Sequence, residues 1–182
     1  MTKADTSAKR GPSILSFLIM LVLVVGAFAY LSFTAYSRDA LWFWPYFDET
    51  PDSIVVRCYE EKVAVPHDSQ EFTELTRLVN AQLSGDKQWQ EMTLSDESFE
   101  AYLADPSMAV LEMMYSAPVD VHTGTAMFLS IDTLLTPLAG RFANENFFFG
   151  ARQERHTGGL VHVKDTQPIK DYINQSGLCV LK

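Results

Sequence analysis

Hydrophobic positions follow two different rules along the chain. From Ile14 to Phe33, twenty consecutive residues (ILSFLIMLVLVVGAFAYLSF) carry no charge and show no polar stripe. As a helix rising 1.5 Å per residue, this run covers roughly 30 Å, the depth of a bilayer's hydrocarbon core. Gly26 and the two serines are tolerable there because a helix satisfies its own backbone groups. The pattern predicts a transmembrane helix within residues 12–36, a short cytoplasmic tail at 1–11 and a juxtamembrane connector at 37–52.

From Ser53 onward, short periodic segments replace the continuous run. Ile54, Val56 and Cys58 alternate with Val55, Arg57 and Tyr59, which is strand spacing. Glu60-Glu61 is a turn, Val63-Ala64-Val65 a returning strand, and Pro66 its end. Phe72, Leu75, Leu78, Val79 and Leu83 then recur at helical spacing. Asp68 with Glu71 resembles a capping box, and Gly85 is a stop, so a helix is expected over 68–84. A second helix starts at Ser95, with Asp96 and Glu97 favourable to its dipole, and ends at Asp105-Pro106. Met108–Tyr115, the 126–138 run, Phe147–Phe149, Gly159–Val163 and Leu178–Leu181 read as strands. Asp165 or Thr166 caps a last helix with Pro168 in its first turn and Gly177 at its end. About three helices interspersed with hairpin-like strands specify an α+β domain over 53–182 with a mainly antiparallel sheet.

Charge gives the arrangement a direction. Lys3, Lys9 and Arg10 precede the apolar run with Asp5 the sole acid, so residues 1–37 carry +3 − 1 = +2. The net charge of −9 then leaves −11 for the remainder. The basic flank favours the cytoplasm, which places residues 53–182 outside as an extracytoplasmic domain. An acidic surface repels nucleic acid, so no nucleic-acid partner is expected. Cleavage after Ala27-Phe28-Ala29 is the rival reading, since that triplet has the small-x-small form of a signal-peptide site. Tyr30-Leu31-Ser32-Phe33 prolongs the apolar run past it, which favours an uncleaved signal-anchor. Cys58 and Cys179 are a candidate disulfide pair, because a compartment outside the cytoplasm permits oxidation.

The segment Leu41-Trp42-Phe43-Trp44-Pro45-Tyr46-Phe47 is dense in aromatic rings. Tyr and Trp favour the membrane interface because apolar rings there carry polar groups that need partners. Tyr30, Tyr36, Trp42, Trp44 and Tyr46 are therefore assigned to the interface, ahead of packing onto the domain or a sugar-stacking platform.

Motifs that specify a reaction are missing from the sequence. His67, His122, His156 and His162 show no metal-ligand spacing and read as surface residues. There is no Gly-x-Ser-x-Gly elbow, Ser-x-x-Lys or phosphate-binding glycine loop. Glu112 and Asp132 could form a hydrolytic carboxylate pair only by converging in space, and strand alternation points both to solvent. The polar loop 140–146 reads as a connector. No catalytic residue, cofactor or metal is assigned. The sequence thus specifies a single-pass, membrane-anchored binding or interaction module, an accessory, sensor or assembly subunit. Its partners would be the lipid bilayer and another membrane protein. A membrane-anchored envelope hydrolase and a structural subunit of a membrane complex are the competing readings.

Overall fold

The computed structural model describes residues 13–92, 95–123 and 128–182. The basic flank and the first residues of the 126–138 run lie outside the described residues. Helix α1 (Ile14–Ser37) starts where Ser13 Oγ accepts the Ser16 amide at 3.2 Å. Its most apolar window has a mean hydropathy of 2.7 and buries nothing against the rest of the protein. The helix ends at Arg38, which adopts a left-handed φ of 56°.

The domain that follows is built on a seven-stranded sheet in the order β2-β1-β4-β5-β6-β7-β3. The strands are β1 (Ser53–Cys58), β2 (Glu61–Val65), β3 (Gln88–Glu91), β4 (Ala109–Val121), β5 (Phe128–Ala139), β6 (Phe147–Arg152) and β7 (Arg155–His162). Every neighbouring pair is antiparallel. The helices are α2 (Gln70–Leu83), α3 (Asp96–Ala104) and α4 (Gln167–Ser176). The α+β class with an antiparallel sheet is as the patterning requires.

Strand alternation sorts side chains onto two faces. On one face Ile54, Leu111, Leu134 and Val161 pack with Leu75 and Val79 of α2 and Ile169 and Ile173 of α4. On the other, Val110, Leu135, Phe147 and Phe149 pack beneath Phe99 of α3. The long strands β4 and β5 form the spine, and both are irregular. Their register shifts between Met114 and Val119, around Pro118, and β5 turns through Ser130 at φ 58°.

Four sequence expectations are corrected. Ser69, not Asp68, caps α2: its Oγ accepts the Phe72 amide at 3.1 Å. Leu178–Leu181 is no strand; the Leu181 amide instead donates to Asn174 Oδ1. A strand missing from the pattern, β3, pairs with β7 at the sheet edge. It is short and mostly polar (QWQE), so alternation leaves almost no signature. Trp89 nevertheless fixes it, because its indole lies where a side chain on Gly159 would stand, 2.3 Å from that glycine's would-be Cβ. Glu112 is buried rather than directed to open solvent.

Within the connector, the second half joins the domain. Phe47 is 4% exposed and belongs to the core. Ser84 Oγ, at the end of α2, accepts the Phe47 amide and donates to the Phe47 carbonyl, each at 3.1 Å. The Gly85 amide and Lys87 Nζ both donate to the Pro45 carbonyl.

Cys58 and Cys179 are joined in the structure, with Cα atoms 5.5 Å apart and a sequence separation of 121. Closing so long a loop restricts the unfolded chain, a contribution of about 4–5 kcal/mol in the chain-entropy account. Cys58→Ser or Cys179→Ser is accordingly expected to lower unfolding stability by up to that amount. Denaturant titration of each variant beside reduced and oxidised wild type checks it: equal stability of all four would refute the contribution.

Candidate functional site

The two sheet faces are covered unequally, and the difference creates a site. Two helices lie over the first face. Only α3, a nine-residue helix, lies over the second, where its Phe99 stands edge-on to Phe149 with centroids 6.0 Å apart. Beyond α3 the same face continues across β1, β4 and β5 without a covering helix. There the sheet forms the floor of a cleft of about 620 Å³. Arg57, Glu112, Thr133, Leu135 and Ala151 line it, with Leu103 and Ala104 of α3 on one wall and the Tyr59-Glu60 turn and Lys62 on the other.

An ion pair sits in this floor. Register pairs Val55 with Glu112 and Arg57 with Val110, so Arg57 and Glu112 are diagonal neighbours on one face. Arg57 Nε donates to Glu112 Oε2 at 2.7 Å, and the two side chains are 20% and 12% exposed. Of the guanidinium's five donors this uses one, and it leaves Glu112 Oε1 with no partner among the described residues. Neither Oε1 nor the Arg57 terminal nitrogens are buried away from solvent without a partner, so they open into the cleft. Alternation on β4 correctly separates Glu112 from the first face. It could not show that Arg57 reaches across from a strand some 55 residues earlier.

Asp132 does not join Glu112. It accepts the Gln153 amide at 2.7 Å and the Thr133 hydroxyl, and it is not among the residues lining the cleft. The histidines stand apart too, and among the described residues no three metal-ligating side chains gather. His122 Nδ1 lies 2.8 Å from Asp39 Oδ2, with side chains 13% and 8% exposed, and so joins the end of β4 to the exit from α1. His162 meets Gln90 across the β3–β7 pair, and His67 lies against the Phe72 ring. His156 packs against Phe99 and Phe149 beneath α3, where its Nδ1 accepts the Gly158 amide at 3.0 Å. Burial lowers its pKa from the ordinary 6.5, and Asp96 offsets part of that. The loop at 140–146 is clamped rather than free: Lys170 Nζ donates to the Ala143 carbonyl, and Asn146 Oδ1 accepts from Thr166.

The aromatic residues gather around the end of α1. Tyr30 donates its hydroxyl to the Ala40 carbonyl at 3.1 Å, and Trp42 stacks on Phe33 with centroids 5.0 Å apart. Ser37 and Asp39 shape the turn: the Asp39 amide donates to Ser37 Oγ, and Asp39 Oδ1 accepts the Leu41 amide at 2.7 Å. Tyr36, Trp44 and Tyr46 point outward, 78%, 50% and 62% exposed, and Trp44 and Tyr46 meet edge to face. Of the five rings assigned to the interface, Tyr30 and Trp42 thus make contacts at the end of α1, whereas Tyr36, Trp44 and Tyr46 are exposed.

No family model matches the chain, and no curated protein matches it either. Among solved structures, the crystal structure of YycH from Bacillus subtilis is similar, with a TM-score of 0.51 and 12% identity. The likeness covers 70% of this chain and 38% of that one, so the chain spans well under half of YycH's length. At that identity the likeness is one of fold.

Two outcomes test the site's energetics. Arg57→Met leaves the Glu112 carboxylate unpaired on an apolar face and should cost about 1–3 kcal/mol, while the double variant Arg57→Met/Glu112→Leu should recover most of that. Chemical unfolding of the full chain in nanodiscs gives the cycle, and strict additivity would show that the pair is not coupled. The second outcome concerns His156. Between its lowered folded pKa and the ordinary 6.5, the unfolded chain binds a proton that the folded chain does not. Stability is therefore complete above about pH 6.5 and falls as pH drops through that window. His156→Phe should abolish this loss, and an unchanged acid limb in melting curves would remove His156 as its source.

Proposed function

We propose that the protein is a signal-anchored, single-pass membrane protein, with its N-terminus in the cytoplasm and its α+β domain outside, where it acts as an interaction module toward another membrane protein. One observation carries the reading. Helix α1 continues unbroken through Ala27-Phe28-Ala29 to Ser37; its most apolar window buries nothing, and only its last turns meet the connector. Such a surface has no stable place in water, so lipid is its natural environment. The exposure of Tyr36, Trp44 and Tyr46 supports an interfacial connector, since such rings favour the headgroup region. The basic flank ahead of α1 and the acidic domain behind it support the orientation.

The anchor is coupled to the domain rather than merely tethered. Trp42 on Phe33, Tyr30 on Ala40 and the Asp39–His122 pair join the helix end to the turn after it and to β4. Pro45 and Phe47 continue that path onto the end of α2. This geometry suits a domain held close to the bilayer surface. The likeness to YycH is one of fold and specifies no ligand.

Topology and retention test the reading together. Protease added to sealed, right-side-out vesicles should digest the domain, and intact mass of the membrane-extracted chain should show α1 retained. A mature N-terminus at Tyr30, or a domain protected until the vesicles are opened, would refute it. In the retained protein, Trp42→Ala/Trp44→Ala should leave the domain's melting temperature nearly unchanged. It should also reduce quenching of connector fluorescence by headgroup-level probes, read in a Trp89→Phe background.

A further inference from the structure

The cleft has a chemistry of its own that the membrane reading does not use. Its charged lining is Arg57 and Lys62 against Glu60, Glu100, Glu112 and Glu154, two positive against four negative. The excess is acidic, as is the whole chain at −9. Its buried element is different again: the Arg57–Glu112 pair offers a free carboxylate oxygen beside free guanidinium donors. Behind them Leu103, Ala104 and Leu135 give an apolar wall. At about 620 Å³, the volume lies within the ~300–1,000 Å³ that buries drug-sized ligands.

We propose that this cleft binds a short basic–apolar peptide segment of a partner protein. The proposal rests on the reading of the domain as an interaction module and adds the chemical class of what it receives. A lysine or arginine side chain reaches Glu112 Oε1 at the floor, a charge-assisted hydrogen bond on a largely desolvated carboxylate. Glu112 is already held in place by Arg57, so little ordering is lost on binding. The remaining Arg57 donors stand where a peptide carbonyl is the matching acceptor. A neighbouring leucine or phenylalanine lies against Leu103 and Leu135. The exposed Glu100 and Glu154 on the rim attract the basic segment and repel acidic ones. The edge strand β2, which has no strand on its far side among the described residues, runs along the same border through Lys62 and offers backbone groups to an extended chain.

Fluorescein-labelled acetyl-Leu-Lys-Phe-Arg-amide tests the assignment, beside its acidic twin (Leu-Glu-Phe-Glu) and its neutral twin (Leu-Gln-Phe-Gln). The full chain is placed in phosphatidylcholine nanodiscs, with empty nanodiscs as the lipid control, and anisotropy is read. The basic peptide should bind saturably and at least tenfold more tightly than either twin. Glu100→Lys/Glu154→Lys changes only exposed rim residues. It should weaken that binding at least tenfold without moving the melting temperature, and Leu103→Ser should weaken it several-fold. Equal binding of the three peptides, or indifference to the rim reversal, would overturn the proposal. Preference for the acidic or neutral twin would overturn the ligand class while leaving an interaction module in place. Binding of none would overturn the site, and the vesicle topology result would stand by itself in every case.

Discussion

The width of the sheet is the constraint on which the rest of the structure depends. Seven strands about 4.8 Å apart span roughly 29 Å between the outermost axes, whereas a helix with its side chains covers about 10 Å of that width. Two helices and the connector's Phe47 suffice for one face. A single helix on the other face covers only the part near β6 and β7. The remaining area could not stay apolar and open, and the sequence changes character there: Arg57, Glu112 and Thr133 stand where the first face has valine and leucine. The cleft and its ion pair are thus the counterpart of the uneven helix coverage, and both follow from having three domain helices for two broad faces.

The connector ties this domain closely to the apolar helix. Its first half folds back on α1 through ring contacts, and its second half enters the core through Phe47. No long flexible stretch separates the two attachments. A continuous set of contacts therefore joins the end of α1 to the end of α2 and, through Asp39 and His122, to the far end of β4. Both β4 and the region facing α3 border the cleft, so the membrane helix and the proposed ligand site share a strand.

Much of the fold was legible because burial imposes periodicity. The run at 14–33, the face Phe72-Leu75-Leu78-Val79-Leu83, and the alternation of Ile54 and Val56 each report a single environment. Legibility failed where that rule lapses. Strand β3 is a polar edge strand whose one apolar anchor, Trp89, packs against Gly159, a contact set by a partner some 70 residues away. The residues 178–181 look strand-like because Cys179 and Leu181 are packed, but they are held by the disulfide and by Asn174 rather than by a ladder. The cleft itself was invisible. A carboxylate in an alternating strand reads as solvent-facing whether it meets bulk water or the floor of a recess, and only the position of α3 distinguishes the two.

The disulfide also orders events in time. Cys58 lies in the domain's first strand, and its partner comes 121 residues later, after every other strand and helix. If export begins with α1, Cys58 reaches an oxidising compartment while Cys179 is still on the other side of the membrane. The bridge can then close only after the whole sheet has crossed. On the proposed topology, the bridge would therefore report completed export of the domain.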